Sequence, residues 1–205
     1  MSVLSTSATA MIPVARPYIG AEEEQAVIDV LRSGWVTQGP RVAEFEEKFS
    51  EYIGCDYSVA VSSCTTALHL ALLASRIGPG DEVICPSLSF IATANSIAYT
   101  GATPIFGDID LATYNLDPTR LEEAISPRTK AILIVHQIGL PAEMNELLAV
   151  AAKHGLTLIE DAACAIGNDH RSDDDGNRVA TTLGARLPCG RDPQEVRPQS
   201  GVRSR

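Results

Sequence analysis

Lysine is the scarcest charged residue here: only Lys48, Lys130 and Lys153 occur in 205 residues, and none lies beyond position 153. No G-K-S or G-K-T is present, which excludes a P-loop. Neither of the first two predicted strand ends holds G-x-G-x-x-G, which argues against a dinucleotide site. The five cysteines, Cys55, Cys64, Cys85, Cys164 and Cys189, are odd in number and never spaced C-x-x-C. That pattern fits reduced thiols, and neither a disulfide frame nor a metal site is expected. Basic residues are outnumbered, giving a net charge of -10 and a pI near 4.8. A surface that tracks nucleic-acid phosphates needs the opposite balance. No apolar run is long enough to cross a bilayer, and the start MSVLSTSATAMIPVARP has no basic region before an apolar core. A cytoplasmic location is expected.

What is present is enough apolar material, 45% of the residues, for one sizeable core. A first helix is predicted over Ala21–Leu31, acidic at its start and closed by Arg32 before Gly34. A second is predicted over Val42–Ile53, with Val42, Phe45, Phe49 and Ile53 on one face and Gly54 as its stop. Between them lies the loop SGWVTQGP. From Tyr57, β-rich runs alternate with helical ones: YSVAVSS, TTALHLALLASRI, EVICPS, FIATANSIAYTG, TPIFGDI, a short helix at TRLEEAI, KAILIVH, AEMNELLAVAAKHG and LTLIED. Strands separated by helix-length segments require crossovers. The expected fold class is therefore α/β, a mostly parallel sheet with helices on both faces. Such sheets bind ligands beyond the carboxyl ends of their strands.

Three of those ends carry chemistry. Val61-Ser62-Ser63-Cys64-Thr65-Thr66 places hydroxyls and free amides at a helix start, which fits both an anion site and an ordinary Ser or Thr N-cap. Phe90, in the turn after EVICPS, is either a stacking surface for a planar heterocycle or simply core. In LIEDAACAIG an apolar run ends in Glu160 and Asp161 and continues in small residues, which offers one carboxylate to a ligand that lies close to the backbone. The plainer reading is an acid capping its own turn. Among the histidines, His69 is read as a packing residue, and for His136 structural hydrogen bonding is preferred to ligand contact.

These pieces together resemble the DegT/StrS-type sugar-nucleotide aminotransferases, pyridoxal-phosphate enzymes with the fold of aspartate aminotransferase. The resemblance runs from about Ile12 to Gly167, through SGWVTQGP, FEEKFSEYIG, SSCTTALHLAL, GPGDEVICPSLSFIATANSI, GATPIFGDID, VHQIGLPAEM and IEDAACAIG in family order. It implies that Cys64, Thr65 and Thr66 cradle the cofactor phosphate, although many members have Gly in place of Cys64. It implies that Phe90 stacks on the pyridine ring and that Asp161 meets the ring nitrogen, where a carboxylate stabilises the protonated ring. Cys164 matches a position that helps hold the ring or its hydroxyl, and Trp35, Thr37 and Gly39 would lie near the substrate entrance. Glu160, on the opposite face of the strand, is expected to be structural. The implied reaction is transamination of a nucleotide-linked keto-deoxysugar with glutamate or a similar donor, in a homodimer.

The scarcity of lysine then matters. The family's Schiff-base lysine stands some twenty or more residues after the acid, in a stretch resembling S-F-H-x-x-K, and no lysine here follows Asp161. Lys48 and Lys130 belong on the outer surface and Lys153 at a helix end, so none substitutes. His170 lies too soon after Asp161 to stand in. Past Asp169 the sequence holds seven of the thirteen arginines and no buried-face pattern. Residues 1–168 are accordingly read as an incomplete cofactor-binding large domain and 169–205 as a disordered or non-native tail. A truncated or frame-shifted product, with its native reading ending near Asn168 to Ala180, is the expectation. An exposed apolar face and strand edge, with poor solubility, would follow. The alternatives are a non-catalytic cofactor-binding or dimerising pseudoenzyme and a plain α/β module for an unrelated anion.

Overall fold

Four apolar runs become the parallel part of one sheet. The computed structural model describes residues 16–166 and three short strands at 169–171, 178–180 and 184–186. Helices α1 (Ala21–Ser33) and α2 (Pro40–Ile53) come first, then α3 (Cys64–Ala74), β1 (Glu82–Pro86), α4 (Ala92–Tyr99) and β2 (Thr103–Gly107). A 3-10 turn at Leu121–Ala124 leads to β3 (Thr129–Val135), and a second at Gln137–Gly139 leads to α5 (Met144–His154) and β4 (Thr157–Asp161). The last elements are β5 (Asp169–Arg171), β6 (Arg178–Ala180) and β7 (Gly184–Arg186). The main sheet has the order β2-β1-β3-β4-β7, parallel through β4, with β7 antiparallel on the β4 edge.

Alternation along each strand feeds two cores. Ile84, Ile132, Ile134 and Leu158 pack with Met144, Leu147 and Ala151 of α5 on one face. Val83, Cys85, Ala131, Leu133 and Ile159 pack with Leu68 and Leu72 of α3 and Ile97 of α4 on the other. Near-continuous apolar strands are what a sheet covered on both faces requires. From β1 the chain crosses to β2 on one side, and from β3 to β4 on the other, so the order reverses between β1 and β3. Ligands of open α/β sheets bind at such a reversal, outside the carboxyl ends.

Several expectations are modified. YSVAVSS forms no strand. Instead, Ser58 Oγ donates to the carbonyl of Glu46 at 2.5 Å and the Ala60 N–H to its carboxylate at 2.7 Å. Tyr57 and Val59 face outward. The helix expected at TRLEEAI is a single 3-10 turn. On the expected apolar face of α2 only Ile53 is buried, and the Phe45 and Phe49 rings lie against each other with centroids 5.6 Å apart. Beyond that pairing Phe45 stays exposed. Three three-residue strands fall in the segment read as a tail; they need only backbone pairing, which the open edge of β4 supplies to β7. The rest of that segment lies outside the described residues. Among the described residues no helix is long and apolar enough to cross a membrane.

Candidate active site at the carboxyl edge of the sheet

β4 ends in two acids whose side chains leave by opposite faces. Asp161 turns towards the start of α3, where its Oδ1 accepts the Ala163 N–H at 3.1 Å and the Cys64 thiol at 3.5 Å. The turn-capping bond expected of a strand-end acid is therefore made, and by one oxygen only. Oδ2 has no donor among the described residues.

Helix α3 begins at Ser63, whose hydroxyl accepts the Thr66 N–H at 3.2 Å. The Thr66 hydroxyl lies 3.0 Å from that of Ser63 and 3.3 Å from that of Ser62. An ordinary N-cap is thus present. It leaves the N–H groups of Cys64 and Thr65 without acceptors among the described residues, and these are the orphan donors of any helix start. Their positive end favours an anion. Cys64 itself is half-buried, and its thiol is pushed up to about 12, first by burial and then by the charge and hydrogen bond of Asp161. It stays protonated at neutral pH and serves as the donor.

The other residues singled out from sequence are placed as follows. Phe90 stands in the turn after β1 on the same sheet edge, 77% exposed. Its carbonyl accepts the Thr93 N–H at 3.1 Å at the start of α4, and Ser89 and Thr93 pair through their hydroxyls at 2.6 Å. Cys164 is exposed, three residues beyond Asp161. Trp35 and Thr37 are exposed, and the indole N–H of Trp35 is spent on the Gln38 carbonyl at 2.8 Å. No hydrogen bond joins either to Asp161 or Cys64. Gly39 is needed for close approach, since a Cβ there would sit 2.1 Å from the indole nitrogen of Trp35. His69 meets the Tyr99 ring edge-on at 5.8 Å, the packing role expected of it.

On the far face of β4, Glu160 and His136 are both fully buried, with Nε2 3.3 Å from Oε2. The sequence motif marked each residue but not their pairing. Asn115 was not anticipated at all. Its amide oxygen accepts the Gln137 N–H at 2.9 Å, and its nitrogen donates to the carbonyls of Leu140 and Pro141 at 3.1 and 3.2 Å. Gln137 in turn donates to the Leu88 carbonyl, bridging the loops that follow β3 and β1. The only sequence signal was an Asn beside a turn, which many loops share.

The fold is α/β, with orphan amides and a strand-end carboxylate side by side at the carboxyl edge of the sheet. The chain belongs to the DegT/DnrJ/EryC1/StrS aminotransferase family, whose profile matches residues 17–184. The match continues past Gly167, where the sequence motifs end. The chain is 53% identical over 155 residues to the spore coat polysaccharide biosynthesis protein SpsC of Bacillus subtilis (strain 168), covering 76% of this chain and 40% of that protein. Among solved structures it resembles DesV of S. venezuelae, with TM-score 0.68 and 45% identity over 70% of this chain and 38% of that one. A putative sugar aminotransferase of Streptococcus pneumoniae in its PMP form gives TM-score 0.74 and 35% identity, over 77% and 43%. The chain thus spans about two fifths of the length of these relatives.

Proposed function

We propose that these residues form the pyridoxal-phosphate-binding part of an aminotransferase acting on a nucleotide-linked keto-deoxysugar, with an amino acid such as glutamate as nitrogen donor and a second copy completing the site. The observation that carries the reading is the pairing of two orphan amides on α3 with an open carboxylate oxygen on Asp161. The donor set fits a ligand with an anionic end and a basic ring nitrogen. In this reading the amides of Cys64 and Thr65, with the Thr66 hydroxyl, hold the phosphate. Asp161 Oδ2 would keep the ring nitrogen protonated, Phe90 would offer a ring face for stacking, and Cys164 would help hold the ring or its hydroxyl. Trp35 and Thr37 face the substrate. When bound, the cofactor supplies a sink for the electrons released at the substrate carbon.

No lysine follows Asp161 in this sequence, so these 205 residues hold no candidate to carry the cofactor aldehyde and move the proton at the substrate carbon. For these residues taken alone, the second reading is binding of the cofactor without turnover. Titrating the chain with pyridoxal phosphate, followed by borohydride reduction and peptide mass analysis, separates these readings. The expected result is reversible binding, weakened in Asp161→Ala and Thr65→Ala, with no lysine labelled. A labelled lysine would restore the catalytic reading for this chain. Binding indifferent to Asp161→Ala would leave only an anion-binding module.

A further inference from the structure

The residue nearest to Asp161 in structural consequence lies on the side of the sheet where no ligand can reach. His136 is the first residue after β3, and four bonds hold it, one of them from the Gly139 N–H to its carbonyl at 3.3 Å. Its N–H donates to the Asp161 carbonyl at 3.2 Å, extending the β3–β4 ladder by one link. Its Nδ1 accepts the Ala142 N–H at 3.0 Å. An Nδ1 that accepts carries no proton, so the proton of the neutral ring sits on Nε2, and that nitrogen donates to Glu160 Oε2 at 3.3 Å. Glu160 is the residue before Asp161, and its Oε1 is buried without a partner among the described residues. The ring of His136 is therefore the one donor that this buried carboxyl has among the described residues.

We propose that His136 and Glu160 are positioning residues for Asp161, holding the end of β4 from the rear so that the Asp161 carboxylate stays against the start of α3. That Asp161 serves a cofactor rests on the reading above; where its carboxylate sits does not. Adjacent residues on a strand share one backbone and point to opposite faces, so a shift of Glu160 along the strand carries Asp161 with it, and a twist of the strand that moves the Glu160 side chain one way swings that of Asp161 the other. Without the His136 ring, a carboxyl left with no donor in a dry core is driven to move, because an unpaired buried polar group is costly. Two backbone links at His136 restrain the main chain but not the pitch of the β4 end. The side-chain pair sets that.

Cys64 is a built-in reporter. Its thiol is held protonated in part by Asp161, so withdrawal of the carboxylate lowers its pKa and speeds alkylation. Cys85, buried on β1 of the same sheet, reports unfolding instead. The experiment is residue-resolved iodoacetamide labelling of the full chain without cofactor at fixed pH, read by mass spectrometry. Asp161→Asn sets the ceiling. In His136→Phe and Glu160→Leu, Cys64 labelling is expected to rise towards that ceiling, by about tenfold for each pKa unit recovered, with Cys85 still protected. Glu160→Gln keeps an oxygen for the Nε2 proton and is expected to label at the wild-type rate. The proposal is overturned if Cys64 stays at the wild-type rate in both disruptive variants while Asp161→Asn raises it. It is equally overturned if Cys85 opens in step with Cys64 in both, which would mark the pair as part of general stability only. Because no cofactor is used, a failed pyridoxal-phosphate titration leaves this outcome readable.

Discussion

The Cys64 sulfur lies 3.5 Å from Asp161 Oδ1 although 97 residues separate them in the chain. One contact thereby joins the start of α3 to the end of β4, and the helix amides are brought beside the strand-end carboxylate. Removing the thiol in Cys64→Ala leaves Oδ1 with the Ala163 N–H alone. The expected cost is about 1 kcal/mol of unfolding free energy, the usual net worth of a hydrogen bond. Cys64→Ser, which keeps a donor, should cost less. Urea unfolding of the two variants beside wild type checks the difference.

Alkaline pH should act on the same contact. The thiols of Cys64 and Cys85 are both pushed from an ordinary 9.0 up to about 12, Cys85 by burial and Cys64 by burial first and Asp161 second. A raised folded value means that the folded state holds these protons more tightly than the unfolded one. The stabilisation is complete below pH 9 and is lost as pH rises from there towards 12. Unfolding midpoints measured between pH 8 and 11 should fall over that range, and Cys64→Ser should fall less steeply. Equal slopes for the two proteins would contradict the assignment to Cys64.

Gly39 is extended at φ -171°, a conformation open to any residue, so its value lies in space rather than in backbone freedom. A methyl group there meets the Trp35 indole at 2.1–2.7 Å. Gly39→Ala should displace the ring and break its bond to the Gln38 carbonyl. The measurement is Trp35 fluorescence, the chain having one tryptophan; a red shift in Gly39→Ala with little change in the unfolding midpoint is expected, since the ring is already 57% exposed.

How much of this was legible beforehand varies with the kind of interaction. KAILIVH and LTLIED could be read as strands because a core covered on both faces demands unbroken apolar runs, and β3 and β4 fall where those runs lie. The split of Glu160 and Asp161 to opposite faces follows from the period of two. YSVAVSS has equal β character and forms no strand, since pairing depends on how a segment is placed against the sheet as well as on its composition. The Cys64–Asp161 contact, the His136–Glu160 pair and the Asn115 clamp all join residues at least 22 positions apart. Spacing rules describe neighbours along one element, and none of these bonds lies within one.

The Asn115 clamp leads to a further expectation. Asn115 is 2% exposed, and its side chain satisfies one N–H and two carbonyls of the loop after β3. Asn115→Ala would leave all three without that partner, at a cost of about 2–4 kcal/mol. Hydrogen exchange at the Gln137 amide should rise sharply in this variant. Asn115→Asp keeps the acceptor for Gln137 and should protect that amide, while still losing stability through the two abandoned carbonyls.

Within that clamped loop Ile138 adopts φ 52° and ψ 27°, a left-handed conformation that a β-branched side chain disfavours. The side chain gives nothing back, being 92% exposed. Strain of this kind persists only where the surroundings over-determine the backbone, and here Asn115 holds both ends of the turn while Gln137 is tied to the Leu88 carbonyl. Ile138→Gly removes the Cβ clash and loses no packing, and the greater freedom of glycine in the unfolded chain offsets part of the gain. Net stabilisation of about 0.5–1 kcal/mol is expected, read as a higher urea midpoint at unchanged slope. Ile138→Val, which keeps the branch, should show no gain, and a destabilised glycine variant would mean that the isoleucine side chain has a contact of its own to lose.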